Sequence, residues 1–231
     1  DMRKAISFLV LAAIACALPA YVFGEGAGLE ERKAYCALRV EQPPIIDGDL
    51  GEAPWAEALW VNEFVDYHTG KEPAVQTRFA AVFDEAGICF GVECVEPQPQ
   101  LISAGPYGRD APVFRDDSIE IFVDPGRTED VYYQLVTSAA NARFDGKRMD
   151  ATWDGEWQSA ASRGENAWTL EVAIPFETLG LTSPPPLSWG FNVCRNRPRG
   201  TLQWSSWSWT PGGFHNVSRF ADMILGTPQE D

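Results

Sequence analysis

The sequence predicts an all-β fold, a two-sheet antiparallel β-sandwich of jelly-roll type with one or two short helical turns. Three observations predict it. From residue 35 onwards, short segments rich in Val, Ile, Phe, Trp and Thr are punctuated by Gly, Pro and Asp turns, with almost no helical period. Several segments alternate strictly. In Trp168-Thr169-Leu170-Glu171-Val172-Ala173-Ile174, Trp168, Leu170, Val172 and Ile174 share one face and Thr169, Glu171 and Ala173 the other. Finally, 231 residues with 45% hydrophobic side chains can bury one sizeable core, and sandwiches of this length fold as single units.

Taken in order, the chain begins with an expected export signal over 1–24, Asp1 reading as a remnant. Met2-Arg3-Lys4 forms a positive start, an apolar run over 5–17 follows, and small residues lead to cleavage near Gly24. The run is shorter than the roughly 20 residues that span a bilayer. A minor alternative anchors Cys16 as a lipoprotein. Residues 25–34 form a lead-in, 35–226 one domain, and 227–231 a tail.

Strands are expected at 36–41, 77–84, 88–95, 118–124, 131–138, 158–162, 168–174, 189–195, 203–208 and 220–225. A short helix is expected at 54–58, with Trp55 packed inward, and one helical turn at 176–180, between Pro175 and a closing Gly180. Export places Cys36, Cys89, Cys94 and Cys194 in an oxidising compartment, where three disulfide pairings are open alongside buried thiols. Cys89 and Cys94, five apart on one strand, face opposite sides and do not pair with each other.

The formal charge of −15, with pI near 4.5, disfavours polyanions and anionic membrane surfaces, so nucleic acid is excluded as a first choice of partner. Composition also argues against disorder. No nucleophile elbow, His-Glu-x-x-His, phosphate loop or dinucleotide fingerprint is present, and the two histidines, His68 and His215, read as surface residues. The protein is expected to be non-catalytic.

Two features remain. Glu120 interrupts the apolar strand Ser118-Ile119-Glu120-Ile121-Phe122-Val123, on the face opposite Ile119 and Ile121, which suits a solvated groove. Trp204, Trp207, Trp209 and Phe214 crowd a polar, Gly-rich segment; Trp204 reads as packed beneath the loop, while the stretch 207–214 reads as surplus to the core. Aromatic rings beside polar groups suit a sugar, whose C–H face lies on the ring while its hydroxyls are hydrogen-bonded.

The run Ile45-Ile46-Asp47-Gly48-Asp49-Leu50-Gly51-Glu52-Ala53-Pro54-Trp55, the pair Phe83-Asp84, the strand at 88–94, Asp116-Asp117-Ser118 through Pro125, the segment 168–175, Gly190 to Arg195 and the Trp-rich close together resemble family 9 carbohydrate-binding modules and their DOMON-like relatives. The resemblance implies an antiparallel sandwich, non-catalytic sugar binding and structural calcium. It assigns the clamp aromatics to Phe114 and Phe214, the hydroxyl-binding carboxylate to Glu120 and an amide to Gln134. Both clamps are Phe where the resemblance leads one to expect Trp. Trp209, Arg115 and Asn192 complete the expected site. Asp47, Asp49, Asp116 and Asp124 are candidate calcium ligands.

The expected ligand is a neutral mono-, di- or polysaccharide, bound by a monomer without an organic cofactor. Alternatives are a structural or surface-assembly sandwich without a small ligand, and a haem-binding redox module using Met149 or Met223. A glycosidase is disfavoured because no carboxylate pair stands out.

Overall fold

The computed structural model describes residues 32–181 and 185–226. The expected export signal, Cys16, most of the lead-in and the tail lie outside the described residues. Twelve strands are formed among the described residues: β1 (Ala34–Arg39), β2 (Val65–Asp66), β3 (Thr77–Phe83), β4 (Gly87–Val95), β5 (Ser118–Asp124), β6 (Tyr133–Ser138), β7 (Arg143–Lys147), β8 (Gln158–Arg163), β9 (Ala167–Pro175), β10 (Ser188–Arg199), β11 (Thr201–Ser206) and β12 (Ala221–Leu225). A short α-helix, α1 (Ala53–Glu57), starts with Pro54 in its first turn and buries Trp55.

The strands follow the order β7-β6-β5-β10-β12-β1-β3-β4-β9-β8, a sheet curled on itself into two layers. The fold hinges on β1. Its first half pairs with β12, Tyr35 opposite Met223, and its second half with β3, Leu38 opposite Val82. Both pairings are parallel, so the expected antiparallel sandwich is corrected at this one strand.

Period-two alternation sends one side of each strand inward. Ile119, Ile121 and Val123 meet Phe90, Val92, Leu170 and Val172, with Trp168, Trp189 and Phe191 filling the interior. The opposite face of the β3-β4-β9 layer is also covered. Trp55 lies there with Val82 and Cys89, beneath Leu50 and Trp60. Gly91 makes room for it: a Cβ there would lie 3.1 Å from the Trp55 ring.

This second layer explains the Asp-Gly-Asp run. The Glu171 carboxylate, fully buried, accepts hydrogen bonds from Trp55 Nε1 (2.7 Å), Gly48 N (2.7 Å) and Asp47 N (3.0 Å). Burial raises its pKa, against the pull of those donors.

The expected turn at 176–180 is made by successive bonds from Thr178 N to Pro175 O, Leu179 N to Phe176 O and Gly180 N to Glu177 O, and Gly180 closes it at φ +69°. Other expectations need correction. Strands β2 and β7 were not anticipated. Trp207 is a core residue, 3% exposed and packed on Tyr35, Phe79 and Phe191, because the backbone N–H of Trp207 still bonds Val193 O and continues the β11 pairing inward. Cys89, Cys94 and Cys194 form no disulfide. Cys94 lies in the main core and Cys89 in the outer cluster, on opposite faces as expected.

Candidate functional site

The outer face of β7-β6-β5-β10 carries the side chains that alternate with the core. On β5 these are Ser118, Glu120 and Phe122; on β6 Gln134 and Val136; on β10 Asn192, Cys194 and Asn196. Register sets their spacing. Phe122 stands opposite Gln134, and Ser118 opposite Asn196, so both amides lie diagonal to Glu120.

Gln134 Nε2 donates to Glu120 Oε2 at 2.6 Å and Asn196 Nδ2 donates to Oε1 at 2.7 Å. Asn196 Nδ2 also lies 3.1 Å from Ser118 Oγ. Glu120 is 4% exposed. Burial raises its pKa, while the two amides pull it back. The strand-centre carboxylate is thus nearly enclosed, a correction to the solvated face expected from sequence. Donation by the amides leaves the carbonyl oxygens of Gln134 and Asn196 as acceptors.

This polar floor lies at the bottom of a groove of about 550 Å³. One wall is Phe114 with Phe144, packed edge to face at 5.7 Å. The other is Phe214 with Tyr67 and Trp204, whose ring centroids lie 5.7 and 6.2 Å from that of Phe214. His215 also lines this side, its Nδ1 2.8 Å from Tyr132 Oη; burial holds its pKa below the usual range, favouring neutral imidazole. Arg115 and Arg148 line the mouth, Arg148 paired with Asp130.

Of the seven residues expected at the site, Phe114, Arg115, Glu120, Gln134 and Phe214 line this groove. Two do not. Asn192 is fully buried and held by Ser208, donating to its carbonyl (2.8 Å) and accepting from its N–H (2.9 Å). Trp209 lies on the outer side of the 66–71 turn, where its Nε1 donates to Tyr67 O at 3.0 Å. Sequence reasoning missed Asn196, Phe144 and Tyr67. Asn196 shares strand parity with Asn192, and that was the available signal. Trp204, expected beneath the loop, lines the groove because it stands opposite Asn196 on β11.

The four candidate calcium ligands do not form one donor set. Asp47 Oδ1 accepts from Asp49 N, Asp49 Oδ1 from Gly51 N and Asp116 Oδ2 from Gly105 N, while Asp124 caps Thr128 and Glu129. Among the described residues, no group of three or more His, Cys, Asp or Glu is placed to hold a metal ion. Met223 lies in the core, whereas Met149 is exposed at the groove mouth, its Sδ 3.6 Å from Tyr132 Oη.

Behind the groove, β10 directs Arg195, Arg197 and Arg199 to its opposite face. Arg197 Nε and Nη2 and Arg199 Nη2 bond the buried Glu96, and Arg199 also bonds Asp117. Burial raises the Glu96 pKa, but hydrogen bonds from Arg197 and Gln98 N and the charges of Arg197 and Arg199 outweigh it, leaving it lowered. The network ties the end of β10 to the segment after β4.

Among solved structures, the fold is similar to a family 9 carbohydrate-binding module from Caldicellulosiruptor kristjanssonii in complex with glucose. The match has TM-score 0.64 and 15% identity over 86% of this chain and 98% of that one. A family 9 carbohydrate-binding module from the same organism in complex with cellotriose aligns with TM-score 0.60 and 16% identity, over 87% and 96% of the two chains. A candidate carbohydrate-binding protein of Bacteroides uniformis aligns with TM-score 0.69 and 16% identity, over 85% and 100%. Comparison with curated proteins gives no match. The sequence matches the family described as carbohydrate family 9 binding domain-like over residues 46–227, and the chain belongs to that family.

Proposed function

We propose that the protein is an exported, non-catalytic, monomeric sugar-binding domain whose groove takes a neutral mono- or disaccharide unit between Phe114 and Phe214. The observation that carries this reading is the hydrogen-bonded floor of Glu120, Gln134 and Asn196 between two aromatic walls. A sugar ring presents the matching chemistry, with apolar C–H faces for the rings and hydroxyls for the floor. Hydroxyls can donate to Glu120 and to the amide oxygens, while Arg115 at the mouth can donate to ring or hydroxyl oxygen. The structural neighbours bound to glucose and cellotriose support this class of ligand.

The enclosed Glu120 carboxylate disfavours an acidic sugar at the floor, where two buried anions would repel. The small groove and its Phe clamps suit weak binding, at roughly micromolar to millimolar Kd. Calorimetric titration with glucose, xylose, mannose and their β-1,4-linked disaccharides tests the reading. Saturable heat for at least one neutral sugar is expected. Silence across the panel, with and without calcium, would favour the structural-assembly alternative.

A further inference from the structure

We propose that Trp209 is a second sugar platform, outside the groove, which stacks a further pyranose of an oligosaccharide whose end occupies the groove. This rests on the groove reading above. The indole lies flat against a turn: a Cβ on Gly70 would lie 3.2, 3.3 and 3.4 Å from Cε2, Cδ2 and Cζ2, three atoms of the fused ring. That backbone position is left-handed, φ +65°, so Gly suits it on both counts.

The turn beneath is rigid. Asp66 Oδ1 accepts from His68 N, Thr69 N and Thr69 Oγ1, and Gly70 N bonds Asp66 O at 2.8 Å. The ring is fixed upon it by the bond from Nε1 to Tyr67 O. The only polar atom of the indole is therefore satisfied internally. Trp209 is nevertheless 37% exposed, and among the described residues no aromatic ring or cation packs against it. What it offers solvent is apolar ring surface, pre-ordered at little entropy cost.

Continuity with the groove identifies the occupant. Tyr67 holds Trp209 through its carbonyl and lines the groove with its ring, where it packs on Phe214. One turn thus serves both: Tyr67 contributes its ring to the groove, and Gly70 and the Tyr67 carbonyl hold the indole. On the proposal, an oligosaccharide that leaves the groove past Tyr67 stacks a pyranose on that indole.

The test compares glucose with cellotriose, xylose with xylotriose and mannose with mannotriose by calorimetry, for wild type, Trp209→Ala, Trp209→Tyr and Phe214→Ala. Wild type should bind the trisaccharide more tightly than its monosaccharide. Trp209→Ala should leave monosaccharide binding unchanged and weaken trisaccharide binding about 3-fold to 10-fold, with Trp209→Tyr restoring part of it. Phe214→Ala should weaken both. Equal loss for both sugars in Trp209→Ala, or no length dependence in wild type, overturns the platform alone. Absence of monosaccharide binding overturns the groove reading and the platform with it. A dimer that Trp209→Ala dissolves in sedimentation, with sugar affinities unchanged, assigns the ring to self-association and likewise overturns it.

Discussion

Asn196 donates its side-chain amide to Glu120 Oε1 at 2.7 Å although the two are not cross-strand partners: Glu120 stands opposite Cys194, and Asn196 opposite Ser118. The bond is diagonal, and Gln134 makes its mirror image from the other neighbouring strand. Glu120→Gln removes the charge that both amides serve. Sugar binding should weaken about 10-fold to 100-fold, the range of a hydrogen bond to a charged group. Calorimetry on the folded variant checks it.

The same carboxylate has a pH signature. Its folded-state pKa is raised above 4.5 by burial. Its contribution to stability is therefore fully present below about 4.5 and is lost as pH rises through the folded-state value. Urea denaturation at a series of pH values should show wild type losing stability relative to Glu120→Gln across that window, by about 1.4 kcal/mol per unit of upward shift. A difference independent of pH would contradict the burial seen here.

Phe214→Ala should weaken sugar binding about 10-fold while costing the fold only about 1–2 kcal/mol, because Phe214 is half-buried and packs on Tyr67 and Trp204 rather than in the main core. Thermal melting and calorimetry on the same preparation separate the two effects.

Glu171→Ala should do the reverse. It strips the acceptor from Trp55 Nε1 and two backbone N–H groups on the face away from the groove, and should cost about 2–4 kcal/mol. Below the melting transition, sugar affinity should stay at the wild-type value.

Cys89 and Cys94 are buried thiols whose pKa values burial pushes up to about 12. A thiol reagent at pH 8 should leave both unmodified in the native protein and label them on unfolding. Reducing agent should leave that labelling pattern unchanged, since neither Cys89 nor Cys94 is in a disulfide.

Much of the fold is legible in strand parity. The alternation at 118–124 and 168–174 assigns both core faces correctly and singles out Glu120. Trp55 is legible as an inward residue, but its partner Glu171, 116 positions away, emerges only when β9 is placed over the Asp-Gly-Asp run. The site is half legible for the same reason. Phe114, Glu120 and Gln134 lie on adjacent elements, whereas Asn196 needs the β5-β10 register, and Tyr67 arrives on a distant turn. Trp207 and Trp209 show the limit of composition. They are two residues apart in one polar segment, yet backbone pairing draws the first into the core, while the second lies on Gly70.

The central claim is that the diagonal amides of Gln134 and Asn196 flank a sugar. Side-chain amide resonances of the two residues, followed in ¹⁵N spectra as the best-bound neutral sugar is added, test it most directly. Both should shift saturably, with one Kd that matches calorimetry and is weakened in Phe214→Ala. Saturable binding that leaves both amide pairs unmoved would contradict the account.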